Sequence, residues 1–403
     1  MCRHIGSEGL DPDSSRTAVL YLTEAKLFVD ANFDGGNIDL ADCRENGEIE
    51  LRIRPDSASS HAQWFYFRVL GAGGQHCKFS ILNAGEASYP EAWTDGSVVM
   101  SRNQVDWFRV PTTYADGCLT FSYKCPFEVL YVALSPPYSY DRHQGLISNA
   151  LATDTCRLAA VVQSVQGRPV EVLQIGDAPE KSPAVWVIAR QHPGEPMAEW
   201  FMEGLIERLL SSPDPLTTKL RKTLRFFLVP NMNPDGSIAG NLRTNAAGVD
   251  LNRAWAAPDE QVSPEVAGVM HLMKERGVDL FLDIHGDEEF RFVFAAGCEG
   301  IPDFCERMAK NDQNFRQDFQ SANADFLTRN GYPSDPPGGA DLSIACNQIG
   351  HRFRCLSMTI EMPFKENAAR VNDPEGWGIR HSKELGAAIL YPIAKKFQLT
   401  GTT

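Results

Sequence analysis

The sequence predicts an α/β fold, a mixed sheet sandwiched by helices, with an antiparallel β-sandwich ahead of it. Three observations carry that expectation. As far as about residue 135 the chain repeats short alternating or β-branched and aromatic runs between turn residues. Beyond it, strand-like runs alternate with stretches of helical periodicity. The pattern changes at Ser135-Pro136-Pro137-Tyr138-Ser139-Tyr140. A length of 403 residues suits two domains with real cores. The expected division is an N-terminal β-sandwich over residues 1–135 and an α/β domain over 136–403.

In the front part the strand candidates are residues 49–53, 64–69, 79–82, 107–110, 119–123 and 129–134, with turns at 71–74 and at Asp116-Gly117. Regular short strands with polar punctuation read as a sandwich. Its expected role is packing or positioning, without chemistry of its own. Further on, strands are expected at 184–190, 224–230, 278–284, 291–295 and 355–361, and helices near 196–211, 263–276, 301–329 and 378–398. Ser263-Pro264 supplies an N-cap and a proline at the first helical position. Alternation of this kind implies a parallel or mixed sheet covered on both faces. Residues 331–339 are loop by composition and suited to flank a site.

Composition excludes some functions. A net charge of −14 argues against nucleic acid as a partner, because phosphate contacts need a basic face. The N-terminal Met1-Cys2-Arg3-His4-Ile5-Gly6 has no apolar core of leader length, and no run approaches a membrane span. Ten cysteines without a CxxC pair read as reduced thiols. A cytoplasmic location is the expectation.

The chemistry gathers around Gln191-His192-Pro193-Gly194-Glu195. His192 and Glu195 bracket a Pro-Gly turn where a buried strand ends and a helix begins, the place where an open α/β sheet builds its site. His285 closes the apolar run 278–284 and is followed by Gly286, so it should emerge at the edge of the sheet. Two histidines and a glutamate make a catalytic zinc set that leaves a fourth position for water. Between these candidates stand Asn233-Pro234-Asp235-Gly236, then Arg243, then Asp250-Leu251-Asn252-Arg253. An amide beside a guanidinium fork is a natural receptor for a carboxylate. Glu361 follows another apolar strand, an awkward place for a carboxylate unless it is an edge or a site. In a partly dry cleft beside a metal it is suited to take a proton.

These residues resemble a known family. The stretches HPGE, VPNMNPDG, GNLRTN, GVDLNRAW, DIHG and TIEMPF are similar to those of the zinc carboxypeptidase superfamily. The resemblance is to its cytosolic carboxypeptidase branch, whose eukaryotic members trim glutamates from tubulin tails and other proteins. QWFYFRV, WFRVP and YVALSPPYSY resemble the sandwich that precedes the catalytic domain in that branch. The resemblance implies one zinc per chain on His192, Glu195 and His285, with Asp250 orienting His192. It also implies a terminal carboxylate held by Asn252 and Arg253, a scissile carbonyl polarised by Arg243, and Glu361 as general base. The implied substrate is a peptide or protein C-terminus.

Two departures stand out. Gly194 occupies the place of an arginine in digestive members, and Asp287-Glu288-Glu289 differs from the usual eukaryotic continuation. Tyr332 is the candidate for the mobile tyrosine of digestive members. Two rivals remain: an aspartoacylase-like zinc amidohydrolase of small N-acyl amino acids, and a non-catalytic binding module. For the side chain removed, the segment 340–358 offers His351, Arg352 and Arg354. If extended there, Arg352 and Arg354 share a face, which predicts release of C-terminal Glu or Asp.

Overall fold

The computed structural model of the chain describes residues 27–211, 214–368, 370 and 376–400. The N-terminal hexapeptide and Cys2 lie outside them. The front part contains β1 (Phe28–Asp30), β2 (Asp39–Cys43), β3 (Glu48–Arg52), β4 (Tyr66–Leu70), β5 (His76–Ile81), β6 (Ser97–Ser101), β7 (Trp107–Pro111), β8 (Thr113–Ala115), β9 (Cys118–Lys124) and β10 (Val129–Ala133). They form two five-stranded sheets, ordered β1-β4-β10-β6-β7 and β2-β3-β5-β9-β8. Every pair is antiparallel except β3 with β5. Side chains alternate across a strand, so Ile49 and Leu51 of β3, and Cys77, Phe79 and Ile81 of β5, all point inward. Phe79 lies 5.9 Å from Phe67 of the facing sheet and stacks on Phe121 at 4.9 Å. That aromatic contact closes the sandwich.

Next come α1 (Tyr140–Leu151), β11 (Cys156–Gln163), β12 (Pro169–Ile175), β13 (Ala184–Ala189), α2 (Met197–Leu210), α3 (Pro215–Thr223), β14 (Arg225–Val229) and α4 (Pro234–Ala239). They are followed by α5 (Pro264–Arg276), β15 (Leu280–Asp287), β16 (Phe294–Ala296), α6 (Glu306–Ala322), α7 (Ala345–Phe353), β17 (Leu356–Pro363), α8 (Ile379–Ala388) and α9 (Leu390–Lys396). The sheet order is β11-β12-β14-β13-β15-β17-β16, parallel from β14 to β17 and antiparallel on both flanks. The mixed sheet therefore stands. β13 is buried at every residue because both faces are covered. Val185, Val187 and Ala189 join the core under α2 and α8, while Trp186 and Ile188 join a second core under α5 and α7. The helices α2 and α8 meet closely: a Cβ on Gly386 would sit 2.0 Å from the Phe201 carbonyl oxygen.

Several local expectations change. The hairpin β11–β12, α1, α3 and α7 were not legible from periodicity. The helix expected over 301–329 is confined to α6, and the one over 378–398 is broken into α8 and α9. Ser263 stands at the N-cap of α5 with Pro264 at the first position, but its side chain makes no cap bond. Its hydroxyl closes the preceding turn instead, accepting from Asp259 N at 2.9 Å. NPDG is more than a turn: Asn233 caps α4 by accepting from Gly236 N, and Gly240 ends α4 at a left-handed φ of 72°. No helix among the described residues is long and apolar enough to cross a membrane. Among them Cys77, Cys118, Cys125, Cys156, Cys298, Cys305, Cys346 and Cys355 are free thiols.

Candidate active site

The carboxyl ends of β13, β15 and β17 carry the candidate residues to one cleft of about 620 Å³. At the end of β13 the chain turns through Arg190, whose φ of 57° is rare for a residue with a side chain. That turn is held in place. The Arg190 guanidinium donates to the carbonyls of Pro193 (3.1 Å) and Tyr138 (2.9 Å) and to the buried carboxylate of Glu199. Asn233 ties down the Gln191 carbonyl at 3.0 Å. Gly194 lies so close to Leu242 that a Cβ would meet its carbonyl oxygen at 2.9 Å. The missing arginine of the digestive members thus has no room here.

His192, Glu195 and His285 come together with their donor atoms within 4.8 Å of one another. Glu195 lies 2.7 Å from His192 Nδ1 and 2.9 Å from His285 Nδ1, and the two Nδ1 atoms are 3.2 Å apart. Gly286 N adds a bond to Glu195 at 3.0 Å. Burial would raise the Glu195 carboxyl, but the two imidazoles outweigh it and bring it to about 2. The outer nitrogens face carboxylates: His192 Nε2 is 3.1 Å from Asp250, and His285 Nε2 is 3.0 Å from Asp283, though not aligned as a hydrogen bond. A proton drawn to each Nε2 leaves both Nδ1 lone pairs turned inward. The arrangement fits one small divalent cation.

Asp250 is shared. Its second oxygen accepts from Arg243 Nε at 2.7 Å, and its first also caps the short turn at Asn252 N (2.9 Å). Arg243 is thereby placed beside the metal set, and the surrounding carboxylates outweigh burial to hold its pKa above the usual arginine range. Asn252 and Arg253 line the same cleft. The amide oxygen of Asn252 accepts from Ala345 N at 2.9 Å, so its NH₂ is what it offers the cleft. Glu361 sits on β17 in register with His285, between β15 and β16, which removes the edge explanation for a carboxylate there. Burial pushes its pKa well above the usual carboxylate range, with Glu195 and Asp287 adding to it against His285. β15 itself is internal to the sheet and runs two residues past His285, so that histidine emerges at the strand's end.

The loop around 331–339 does flank the cleft. Tyr332 donates to Asp287 at 2.5 Å and its hydroxyl lies 3.4 Å from Glu361. The specificity residues fare differently. Residues 345–353 form α7, so Arg352 and Arg354 do not share an extended face. Both are exposed, Arg354 pairs with Asp303 at 3.3 Å, and neither lines the cleft. The short helix buries Ala345 to Gly350, but Asn347 and Gln348 are polar, which left no apolar run to read. A part-buried cation that does line the cleft is Arg316 of α6, held by Asp312, Glu299 and the Ala295 carbonyl.

Other residues that contact the candidate site escaped the sequence reading. Asp283 is two residues before His285 and on the same strand face, a spacing that could have found it. Tyr89, in the connection between β5 and β6, reaches the cleft and accepts from Arg243 Nη1 at 2.7 Å. No local pattern signals that contact. A larger cavity of about 1020 Å³ lies behind the Pro193 loop, but its arginines are engaged, Arg142 with Glu203 and Arg68 with Asp30.

A family model described as zinc carboxypeptidase matches residues 148–367, and one described as cytosolic carboxypeptidase N-terminal domain matches residues 29–134. An uncharacterized protein of Zymomonas mobilis is 41% identical over 369 residues, covering 92% of this chain and 96% of its own length. Cytosolic carboxypeptidase 2 of Danio rerio is 32% identical over 320 residues, or 68% of this chain; the chain spans only 43% of that protein. A solved metallo-carboxypeptidase from Pseudomonas aeruginosa, in complex with (2-guanidinoethylmercapto)succinic acid, is 46% identical with a TM-score of 0.90, covering 92% of this chain and 99% of its own. One from Burkholderia cenocepacia is 43% identical with the same score, covering 93% and 100%.

Proposed function

The chain belongs to the zinc carboxypeptidase family and is a metallocarboxypeptidase; from that premise we propose how its own residues divide the work. The family assignment sets aside the N-acyl amino acid hydrolase and the non-catalytic module. His192, Glu195 and His285 would hold one zinc ion per chain, which when bound supplies a Lewis acid that polarises a carbonyl and acidifies water. Asp250 keeps the His192 proton on Nε2. Arg243 donates to the carbonyl oxygen as negative charge builds there. Glu361 takes a proton from the attacking water and returns it to the leaving amine. Arg253, with the Asn252 amide, receives the terminal carboxylate, for which a guanidinium offers two parallel donors. Peptides and proteins with a free C-terminus are the proposed substrates. A cytoplasmic location and a division of the chain near residue 135 are proposed with them.

The observation that carries this reading is convergence. Three donor atoms within 4.8 Å, Arg243 linked to them through Asp250, and Glu361 in register with His285 all open on one cleft. The test is selectivity for the chain end. Arg253→Ala should raise KM for free-carboxylate peptides at least tenfold and shrink the gap to amidated ones, as loss of a charged hydrogen-bonded pair implies, roughly 1.5–3 kcal/mol. A wild-type enzyme that trims amidated peptides equally well would remove Arg253 from this role.

For the residue removed, we propose an acidic preference supported by Arg316 rather than by Arg352 or Arg354. One observation favours a second reading. Glu299 lies 3.2 Å from Arg316 on the same wall and would repel an incoming carboxylate while suiting a C-terminal Lys or Arg. Mass spectrometry of peptides ending in Glu, Lys and Leu decides between them. On the acidic reading Glu299→Gln raises kcat/KM for Glu; on the basic one it abolishes the preference for Lys.

A further inference from the structure

We infer that the front β-sandwich supplies a working part of the active site: Asp56 is a positioning residue for Arg243, and Tyr89 braces the far side of its guanidinium. The inference rests on the reading that Arg243 supports the carbonyl oxygen. Asp56 is buried, 4% exposed, in the loop after β3. One of its oxygens accepts from Leu242 N at 2.5 Å. The other accepts from Arg243 N at 3.0 Å, Thr244 N at 2.8 Å and Thr244 Oγ1 at 2.8 Å. Three successive backbone N–H groups thus converge on one carboxylate, as in an anion-binding nest. Ser57 N adds a bond to Asn241 at 3.0 Å, and Asn37 donates to the Gly240 carbonyl at 2.8 Å. The whole stretch 240–244 is gripped from the front part.

Packing alone does not explain this choice. A buried carboxylate is a costlier filler than an apolar side chain of its size, and its acceptors are spent on the one arginine in contact with Asp250 and on its two neighbours. The side chain of Arg243 is then fixed on two edges, Nε by Asp250 at 2.7 Å and Nη1 by the Tyr89 hydroxyl at 2.7 Å. Tyr89 is itself clasped by Gln63, which accepts from its N–H at 3.0 Å and donates to its carbonyl at 3.1 Å. Nη2 remains for the cleft. A donor stabilises developing charge only where that charge forms, so a displacement of a fraction of an ångström at Arg243 weakens turnover more than binding.

The experiment is a pair of double-mutant cycles on the full chain with zinc bound: Asp56→Asn and Tyr89→Phe, each alone and combined with Arg243→Ala. Each single variant should lower kcat, Asp56→Asn by about 10- to 100-fold and Tyr89→Phe by about 5-fold, with KM within about twofold. On the Arg243→Ala background neither should lower kcat by more than about twofold, because the group through which they act is gone. Equal losses in both backgrounds, or wild-type kcat in either single variant, overturn the inference. If Asp56→Asn does not fold, the Tyr89→Phe cycle still decides, since that change removes one hydroxyl at the cleft. If Arg243→Ala itself keeps wild-type kcat, the role given to Arg243 fails, and this inference with it.

Discussion

At His285 the two-residue period of a strand acts as a template. Asp283, His285 and Asp287 of β15 share one face, so the imidazole is flanked by a carboxylate behind it and another toward the cleft. Asp283 is fully buried and fixed by Gln191 Nε2 at 2.7 Å, and Gln191 in turn accepts from the Trp255 indole at 2.8 Å. His285→Ala should therefore leave two donors, bind little zinc after dialysis and show no measurable turnover; elemental analysis and assay check both. Glu361→Gln tests the opposite separation. It should keep zinc and the folded state while losing turnover by several orders of magnitude, because the proton acceptor is gone and the metal set is untouched. Near-wild-type kcat in that variant would remove Glu361 from the mechanism.

Among elements, the metal loop depends on neighbours that approach without side chains between them. Gly194 N donates to the Leu242 carbonyl at 2.8 Å, and the same closeness forbids a Cβ at 194. The crossing of α2 and α8 uses the same device at Gly204 and Gly386, where an added Cβ would fall 2.1 Å and 2.0 Å from backbone oxygens. Gly386→Ala should force the helices apart and destabilise the fold by about 1–3 kcal/mol, the usual cost of overpacking. Denaturant unfolding measures it. The folded fraction should keep its kcat, since α8 supplies no residue lining the cleft.

Over the whole molecule, a buried ionic cluster outside the cleft ties α1 to α2 and to β12. His143 is 1% exposed, with Glu199 2.8 Å from Nδ1 and Glu171 3.1 Å from Nε2. Burial alone would lower its pKa, but the two carboxylates win and raise it to about 9 from 6.5. A folded pKa above the unfolded one means the proton is held more tightly in the native state. The stability it contributes is complete below about pH 6.5 and is lost as pH rises through about 9, a change on the order of 3 kcal/mol. Chemical denaturation at pH 6 and pH 9.5 should show that decline in the wild type and a flatter profile in His143→Gln. Stability that rises over the same interval would contradict the assignment.

The sequence by itself determined what depends on near neighbours in the chain. The apolar run of β13, the Pro-Gly turn between His192 and Glu195, and the apolar runs that lead to His285 and Glu361 are all local patterns, and so the residues proposed as donors and base were legible as candidates. So was the mixed sheet, because strands buried on both faces need helices on both sides. Tertiary structure alone decided the rest. Arg352 and Arg354 were drawn toward the pocket by chain position, yet the nine-residue helix brings Cys346 and Asn347 to the cleft and leaves the two arginines exposed at its far end, and Arg316 from another helix takes the wall. Asp56 and Tyr89 act more than 150 residues from Arg243, through hydrogen bonds that leave no periodicity in either stretch. Periodicity records which face of an element is buried; it carries no information about which distant polar group meets that face, because a single hydrogen bond needs one atom in place and no repeating pattern.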